Sequence, residues 1–262
     1  MNYSVRSLDV GTSEIRGPQL FWMDAWDEWY PLQFQAVLIQ GGGVKALVNT
    51  APPLNLDAIH VEFPDLEWAV PVGERGRLKQ EPHQDLVAAL ASAGLAPDQI
   101  THVILTPLEL YSTGRLDLFE RAQICLSRRG WVHFHTTHEH PHDRRWRSFS
   151  RQTLSLLVDQ AWHRVRLLSD EDEVAPGLRT WWSGGHHRAS IVVEVDTERG
   201  ITSISDAFFY FENVESGRPI GLLESMEEVQ VAYRRVRNAS AHLVPLHDPK
   251  VFERYPGGLV AP

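Results

Sequence analysis

The densest run of groups able to do chemistry is residues 131–143, WVHFHTTHEHPHD, which hold five of the chain's 13 histidines. Imidazoles bind transition metals and titrate near neutral pH. Their spacing here matches no ordered zinc module, so the run reads as a polar surface loop whose metal binding is adventitious. His133 and His135 are the two that could lean into a cleft. Cys125, the one cysteine, lies in the apolar triplet Ile124-Cys125-Leu126 and reads as a small buried hydrophobe, not a nucleophile. No G-x-S-x-G elbow is present, which argues against a serine hydrolase. Gly41-Gly42-Gly43 lacks the lysine and hydroxyl residue of a phosphate loop, so no nucleotide cofactor is expected.

The chain of 262 residues is 43% hydrophobic and 23% charged, enough to bury a sizeable core. Its 25 basic and 34 acidic residues leave a formal net charge of −9, which disfavours nucleic acid as a partner. The basic blocks 144–147 and 234–237 read as solvated faces. A single cysteine permits no intrachain disulfide and fits a reducing cytoplasm. The N-terminus lacks the apolar stretch of a signal peptide, and no apolar run approaches the roughly 20 residues that span a bilayer, so no membrane association is expected.

The elements that must position any site are legible in outline. Residues 34–40 and 44–50 form a hairpin about the glycine turn, ended by Pro52-Pro53. Residues 83–93 have helical periodicity and stop at Gly94; Val103-Ile104-Leu105 follows as a buried strand. Residues 152–165 predict a second helix. Residues 190–196 and 201–205 predict another hairpin, followed by a helix over 225–238 and a short strand over 241–245. Strand-rich and helix-bearing segments thus alternate twice, which suits two sheets packed face to face with helices outside. Nine tryptophans are many for this length. Trp22, Trp26 and Trp29 read as core or as a self-association surface.

From Gly94 the sequence runs GLAPDQITHVILTPLELYSTGR. This stretch resembles metallo-β-lactamase-fold hydrolases, especially the lactonase-like branch that includes quorum-quenching N-acyl homoserine lactonases. In that family a "GL-P--I-HVILT" strand leads into an H-x-H-x-D-H loop. Pro107 stands at the first histidine, Glu109 at the second, Tyr111 at the aspartate and Ser112 at the last histidine. Later motifs keep more. GGHHRAS at 184–190 resembles the G-H-T-P-G-S turn, with His186 at the metal-binding histidine. SDAFFYFEN at 205–213 resembles the segment of the bridging aspartate, with Asp206 in that place. Phe209 stands where lactonases have tyrosine, with Tyr210 next to it. His247 in PLHDP matches the terminal ligand, and Asn49-Thr50-Ala51 stands at D-T-G. The likeness runs over residues 34–256.

The resemblance implies an α+β fold, a four-layer αβ/βα sandwich with two mixed sheets face to face and helices outside, as a single domain over residues 1–262. It also implies chemistry in which a metal-bound water, acidified to about pKa 7, attacks a lactone or ester-like carbonyl. Of the ligand positions the chain keeps His186, Asp206 and His247, with Glu109 as a fourth donor. A two-metal centre is not expected; one zinc or iron ion is what the remaining donors imply. Asp206, Glu109 and Tyr111 are the catalytic candidates. Trp182, Phe209 and Tyr210 are candidates for a wall against a small-molecule ligand. The expected function is therefore to act on or bind a small carbonyl compound, as a hydrolase if one metal is kept. The alternative is a metal-free pseudoenzyme that binds a small molecule or a protein partner, or one that uses Glu109 and His186 as an acid–base pair with Tyr111 as donor. A homodimer is the default assembly.

Overall fold

The structure is a computed structural model that describes residues 2–54, 74–136 and 150–262. Three of the five histidines in the 131–143 run, at positions 138, 140 and 142, fall outside those residues.

Seven strands make the first sheet: β1 (Ser4–Arg16), β2 (Trp29–Gly41), β3 (Val44–Val48), β4 (His102–Leu105), β5 (Gln123–Ser127), β6 (Val165–Leu168) and β12 (Leu259–Ala261), in the order β12-β1-β2-β3-β4-β5-β6. The second sheet is formed by β7 (Glu171–Ala175), β8 (Leu178–Trp182), β9 (Ile191–Thr197), β10 (Gly200–Ser205) and β11 (His242–Pro245), in the order β11-β10-β9-β8-β7. Both are mixed. β3 to β6 pair in parallel while β1–β2 and β2–β3 are antiparallel. In the second sheet only the β10–β11 pair is parallel. The β2–β3 hairpin turns through Gly42 (φ 54°) and Gly43 (φ 83°), the left-handed pair that a two-residue turn requires.

Strand alternation explains the layers. In β4, Ile104 points between the sheets, while Val103 and Leu105 point the other way. In β5, Cys125 does the former and Ile124 and Leu126 the latter. In β9, Val193 and Val195 meet that same middle layer while Val192 faces out. The outer face of the first sheet packs on helix α1 (Leu86–Ser92) through Leu86, Ala89 and Leu90, and on α2 (Arg128–His135) through Trp131 and Phe134. The outer face of the second packs on α3 (Met226–Ala239) through Val229, Ala232, Tyr233 and Val236. The result is helix, sheet, sheet, helix, the expected four-layer sandwich. Among the described residues, no helix is long and apolar enough to cross a membrane.

Some expectations change. The helix foreseen over 152–165 is a short α-helix, Arg151–Ser155, then a π-helical turn, Leu156–Gln160, and a 3₁₀ turn, Trp162–Arg164. The Arg164 guanidinium donates to the carbonyls of Phe119 and Ala122, and Val165 already pairs with Ile124 in β6, so tertiary anchoring ends the helix early. Strand β1 escaped the sequence reading because its register shifts between Asp9 and Gly11, which breaks its alternation. Trp22 (51% exposed) and Trp26 (63%) are not core; the buried aromatic beside them is Phe21. Cys125 is fully buried, and burial pushes its thiol up to about 12.

Candidate functional site

The site residues gather where strands end. Thr106 follows β4, the 183–190 loop follows β8, Asp206 follows β10 and His247 follows β11. Two backbone devices shape the first of these ends. Asn49 sits in the left-handed region (φ 63°), accepts from the Thr106 N–H at 2.8 Å and donates to the Thr106 carbonyl at 2.7 Å. Thr50 donates its N–H and its hydroxyl to the Ser112 carbonyl at 2.7 and 3.0 Å. These bonds pin the helical turn Leu110–Thr113, with Glu109 at its start.

That turn is closed on itself. The Ser112 hydroxyl lies 2.6 Å from the Pro107 carbonyl and accepts from the Glu109 N–H at 3.2 Å. Ser112 is fully buried, and its polar atoms serve the turn. Glu109 is buried too, and its Oε1 lies 3.4 Å from Nε2 of His187. Nδ1 of His187 lies 3.8 Å from Oε1 of Glu224. Arg188 holds Glu224 and Glu228 together, and Glu228 accepts from the Gly185 N–H at 2.9 Å. The imidazole of His187 thus stands between two buried carboxylates, one of them fixed by an arginine.

His186 directs Nδ1 at the Leu222 carbonyl, 2.6 Å away, and His247 directs Nδ1 at the Gln33 carbonyl, 3.1 Å away. A carbonyl accepts only, so in each ring Nδ1 carries the proton and Nε2 keeps its lone pair. Burial lowers His247 to about 3, so the ring is neutral in the physiological range. Phe209 packs edge-to-face on both rings, at centroid distances of 4.9 Å from His186 and 5.0 Å from His247. Tyr111 closes the cluster against His247 at 5.5 Å and Phe34 at 5.6 Å. It is the one partly exposed member of this group. Burial, then the charges of Glu109 and Asp206, hold its hydroxyl well above the usual phenol range, so it stays a donor.

Asp206 is completely buried, and both its oxygens are taken. Oδ1 accepts from the Thr106 hydroxyl and Oδ2 from Ser190 at 2.6 Å. Thr106 in turn accepts from the Ile191 N–H at 3.0 Å. The carboxylate therefore ties the end of β4 to the start of β9, one sheet to the other. Burial raises it to about 6, although the two hydroxyls pull it down.

Two further candidates lie elsewhere. Tyr210 points into the outer core, where its ring meets Phe21 and Tyr30 and its hydroxyl donates to the Pro31 carbonyl. Trp182 is half-buried, with its indole N–H on the Arg188 carbonyl at 2.7 Å and its ring between Arg129 (4.1 Å) and Arg188 (5.2 Å). His135 is exposed against Trp131, and His133 is half-buried. A cavity of about 290 Å3 borders the turn after Glu109, lined in part by Pro53, Leu54, Leu110, Leu116, Leu156 and Arg115.

Sequence reasoning missed His187, Glu224, Thr106 and Ser190. The doublet His186-His187 was the only local signal. Glu224 reaches in from 36 residues beyond Arg188, which no spacing rule foresees.

Among the described residues, the donors do not come together as a metal centre. The two imidazoles keep the orientation of ligands, with Nδ1–H on a carbonyl. A structural or catalytic ion needs at least three protein donors. Here Asp206 already accepts two hydroxyls and Glu109 faces His187. Among the described residues, no group of three or more His, Cys, Asp or Glu side chains is arranged to hold an ion.

The sequence matches no protein-family model and no curated protein. Solved structures do match. An N-acyl homoserine lactone hydrolase with its product N-hexanoyl-L-homoserine at the catalytic metal centre is 16% identical, with a TM-score of 0.77 over 97% of each chain. AidC, a dizinc quorum-quenching lactonase, is 11% identical, with a TM-score of 0.67 over 97% of this chain and 89% of its own. The hydrolase AbOPH of the β-lactamase superfamily is 13% identical, with a TM-score of 0.67 over 99% of this chain and 90% of its own. The architecture is that of the metallo-β-lactamase fold.

Proposed function

We propose that this chain acts on, or binds, a small lactone- or ester-like carbonyl compound at the Glu109–His187 pair, without a two-metal centre. The observation that carries this reading is the buried Glu109–His187 contact, at the strand ends where a ligand site is expected in sheets of this kind. Glu109 is the general base, taking the proton of an attacking water. His187 holds that carboxylate in place. Tyr111, protonated across the physiological range, donates to the carbonyl oxygen as it gains charge. Phe209 keeps the space between the imidazoles apolar, and the cavity beside Leu110 takes the aliphatic part of the ligand. The lactone class is supported by the lactone-hydrolysing activity of proteins of similar fold. A cytoplasmic location is supported by the single, buried, unoxidised Cys125.

The test is a hydrolysis and binding assay with N-hexanoyl homoserine lactone and simple aryl esters, run with and without chelator. Turnover or binding that survives chelation and falls at least ~100-fold in Glu109→Gln supports the proposal. Activity that chelation abolishes, or the absence of both binding and turnover, overturns it.

A further inference from the structure

The loop between the helical turn Gly17–Leu20 and β2 is built to display apolar side chains. Trp22 is 51% exposed, Met23 61% and Trp26 63%. The backbone beneath them is fixed. The Trp22 N–H donates to the Pro219 carbonyl at 2.8 Å, and the Gly17 N–H donates to the Glu28 carbonyl at 2.8 Å. Arg218 pairs with Asp24 at 2.5 Å and lies 3.7 Å over the ring of buried Phe21. A Cβ on Gly17 would stand 2.0 Å from the Ala25 carbonyl, so the loop is packed down on the turn it leaves. Met23 (φ 57°) and Ala25 (φ 54°) are both left-handed without being glycine. Such conformations are costly and persist only where the surroundings impose them. Here the strain aims three large apolar side chains at solvent.

Tryptophan, methionine and arginine are the residues enriched at protein interfaces, and tryptophan dominates their binding energy. The charges around the patch select the occupant. Asp24, Asp27 and Glu28 lie on the loop, all exposed, while Arg16 and Arg75 lie over Trp29 at 5.2 and 5.8 Å. Both signs therefore flank one apolar centre. An anionic membrane or nucleic acid would face the acidic side of the loop on a chain of net charge −9. A neutral lipid surface would leave Asp27, Glu28 and Arg16 facing it without a counter-charge, since Asp24 pairs with Arg218 and Arg75 with Glu14. A second copy related by a two-fold axis instead sets the acids of each loop against the arginines of the other. We infer that residues 22–28 dock a second copy of this chain, with Trp22 and Trp26 at the centre of a two-fold contact. The inference is independent of what the cleft does.

Sedimentation velocity on the full chain from ~1 to ~100 μM tests it. A monomer–dimer equilibrium is expected, with Trp22→Ser/Trp26→Ser raising the dissociation constant about 100-fold or more. Asp27→Arg weakens the dimer, and adding Arg16→Asp restores it by reversing both members of the charge pair. Unchanged circular dichroism shows that these surface variants fold. A chain that is monomeric at the top concentration overturns the inference, as does a dimer that the double tryptophan variant leaves intact. A monomer that co-sediments with phosphatidylcholine vesicles overturns it in favour of a lipid surface.

Discussion

The turn at 107–114 and the loops of His186, Asp206 and His247 meet at the same strand ends, yet they hold their polar atoms in opposite ways. The turn closes its side-chain hydroxyl on itself. Ser112 serves the Pro107 carbonyl and the Glu109 N–H, while the Glu109 carboxylate and the Ser112 carbonyl, which takes both Thr50 donors, reach distant partners. The loops rely on distant partners throughout: Leu222 for His186, Gln33 for His247, Thr106 and Ser190 for Asp206. The difference shows two ways a buried polar site can stay folded. The turn closes its hydroxyl on itself, and the loops lend their polar groups to holding the two sheets together. An unpaired buried carboxylate costs several kcal/mol, and the Thr106 and Ser190 hydroxyls spare Asp206 that cost.

The comparison breaks most readily at Asp206. Asp206→Ala removes the acceptor of two buried hydroxyls and is expected to lower the unfolding free energy by about 3 kcal/mol, read from urea denaturation. Asp206→Asn keeps an acceptor for one or both hydroxyls and is expected to cost about 1 kcal/mol or less at neutral pH. A loss as large as that of the alanine variant would mean the charge itself is needed.

The second expected effect concerns pH. The folded carboxyl titrates at about 6 against an ordinary value near 3.8, so the native state binds the proton more tightly than the unfolded chain. Its contribution is fully present below pH 3.8 and is lost as pH rises through 6. Stability of the parent chain therefore falls, relative to Asp206→Asn, by about 3 kcal/mol between pH 4 and pH 7. Parallel profiles for the two proteins would contradict the assignment.

The turn should be more forgiving. Ser112→Ala leaves the Glu109 N–H without its acceptor and is expected to cost about 1 to 2 kcal/mol, checked by the same denaturation midpoints. A loss as large as that of Asp206→Ala would erase the distinction between the two regions. The smallest effect is expected at Trp182→Phe, which removes the indole N–H bond to the Arg188 carbonyl but keeps a ring between two arginines. About 1 kcal/mol is expected there, with the Glu109–His187 contact unaltered.

Much of this architecture was legible in the sequence. Gly42-Gly43 demanded a tight turn, the apolar run Val103-Ile104-Leu105 a buried strand, and residues 190–196 a hairpin strand. The bulged strand β1 was hidden by its own register shift, and the helix after Ser150 was cut short by contacts of Arg164 with residues over 40 positions away. In the site, the places of His186, Asp206 and His247 followed from the order of the motifs around them. Their partners did not. That His187 meets Glu109 depends on the left-handed turn at Gly184 and Gly185, where a Cβ on Gly185 would lie 2.7 Å from Val229. That constraint comes from α3, which packs there from 40 residues downstream.

The claim on which the account rests is that the retained imidazoles and Asp206 no longer form a metal centre. Elemental analysis of protein purified without chelator, followed by titration with zinc, iron and manganese, tests it most directly. The account predicts less than about 0.1 equivalent of any of these metals and no saturable uptake at micromolar concentration. One or two equivalents retained, and lost in His247→Ala, would contradict it.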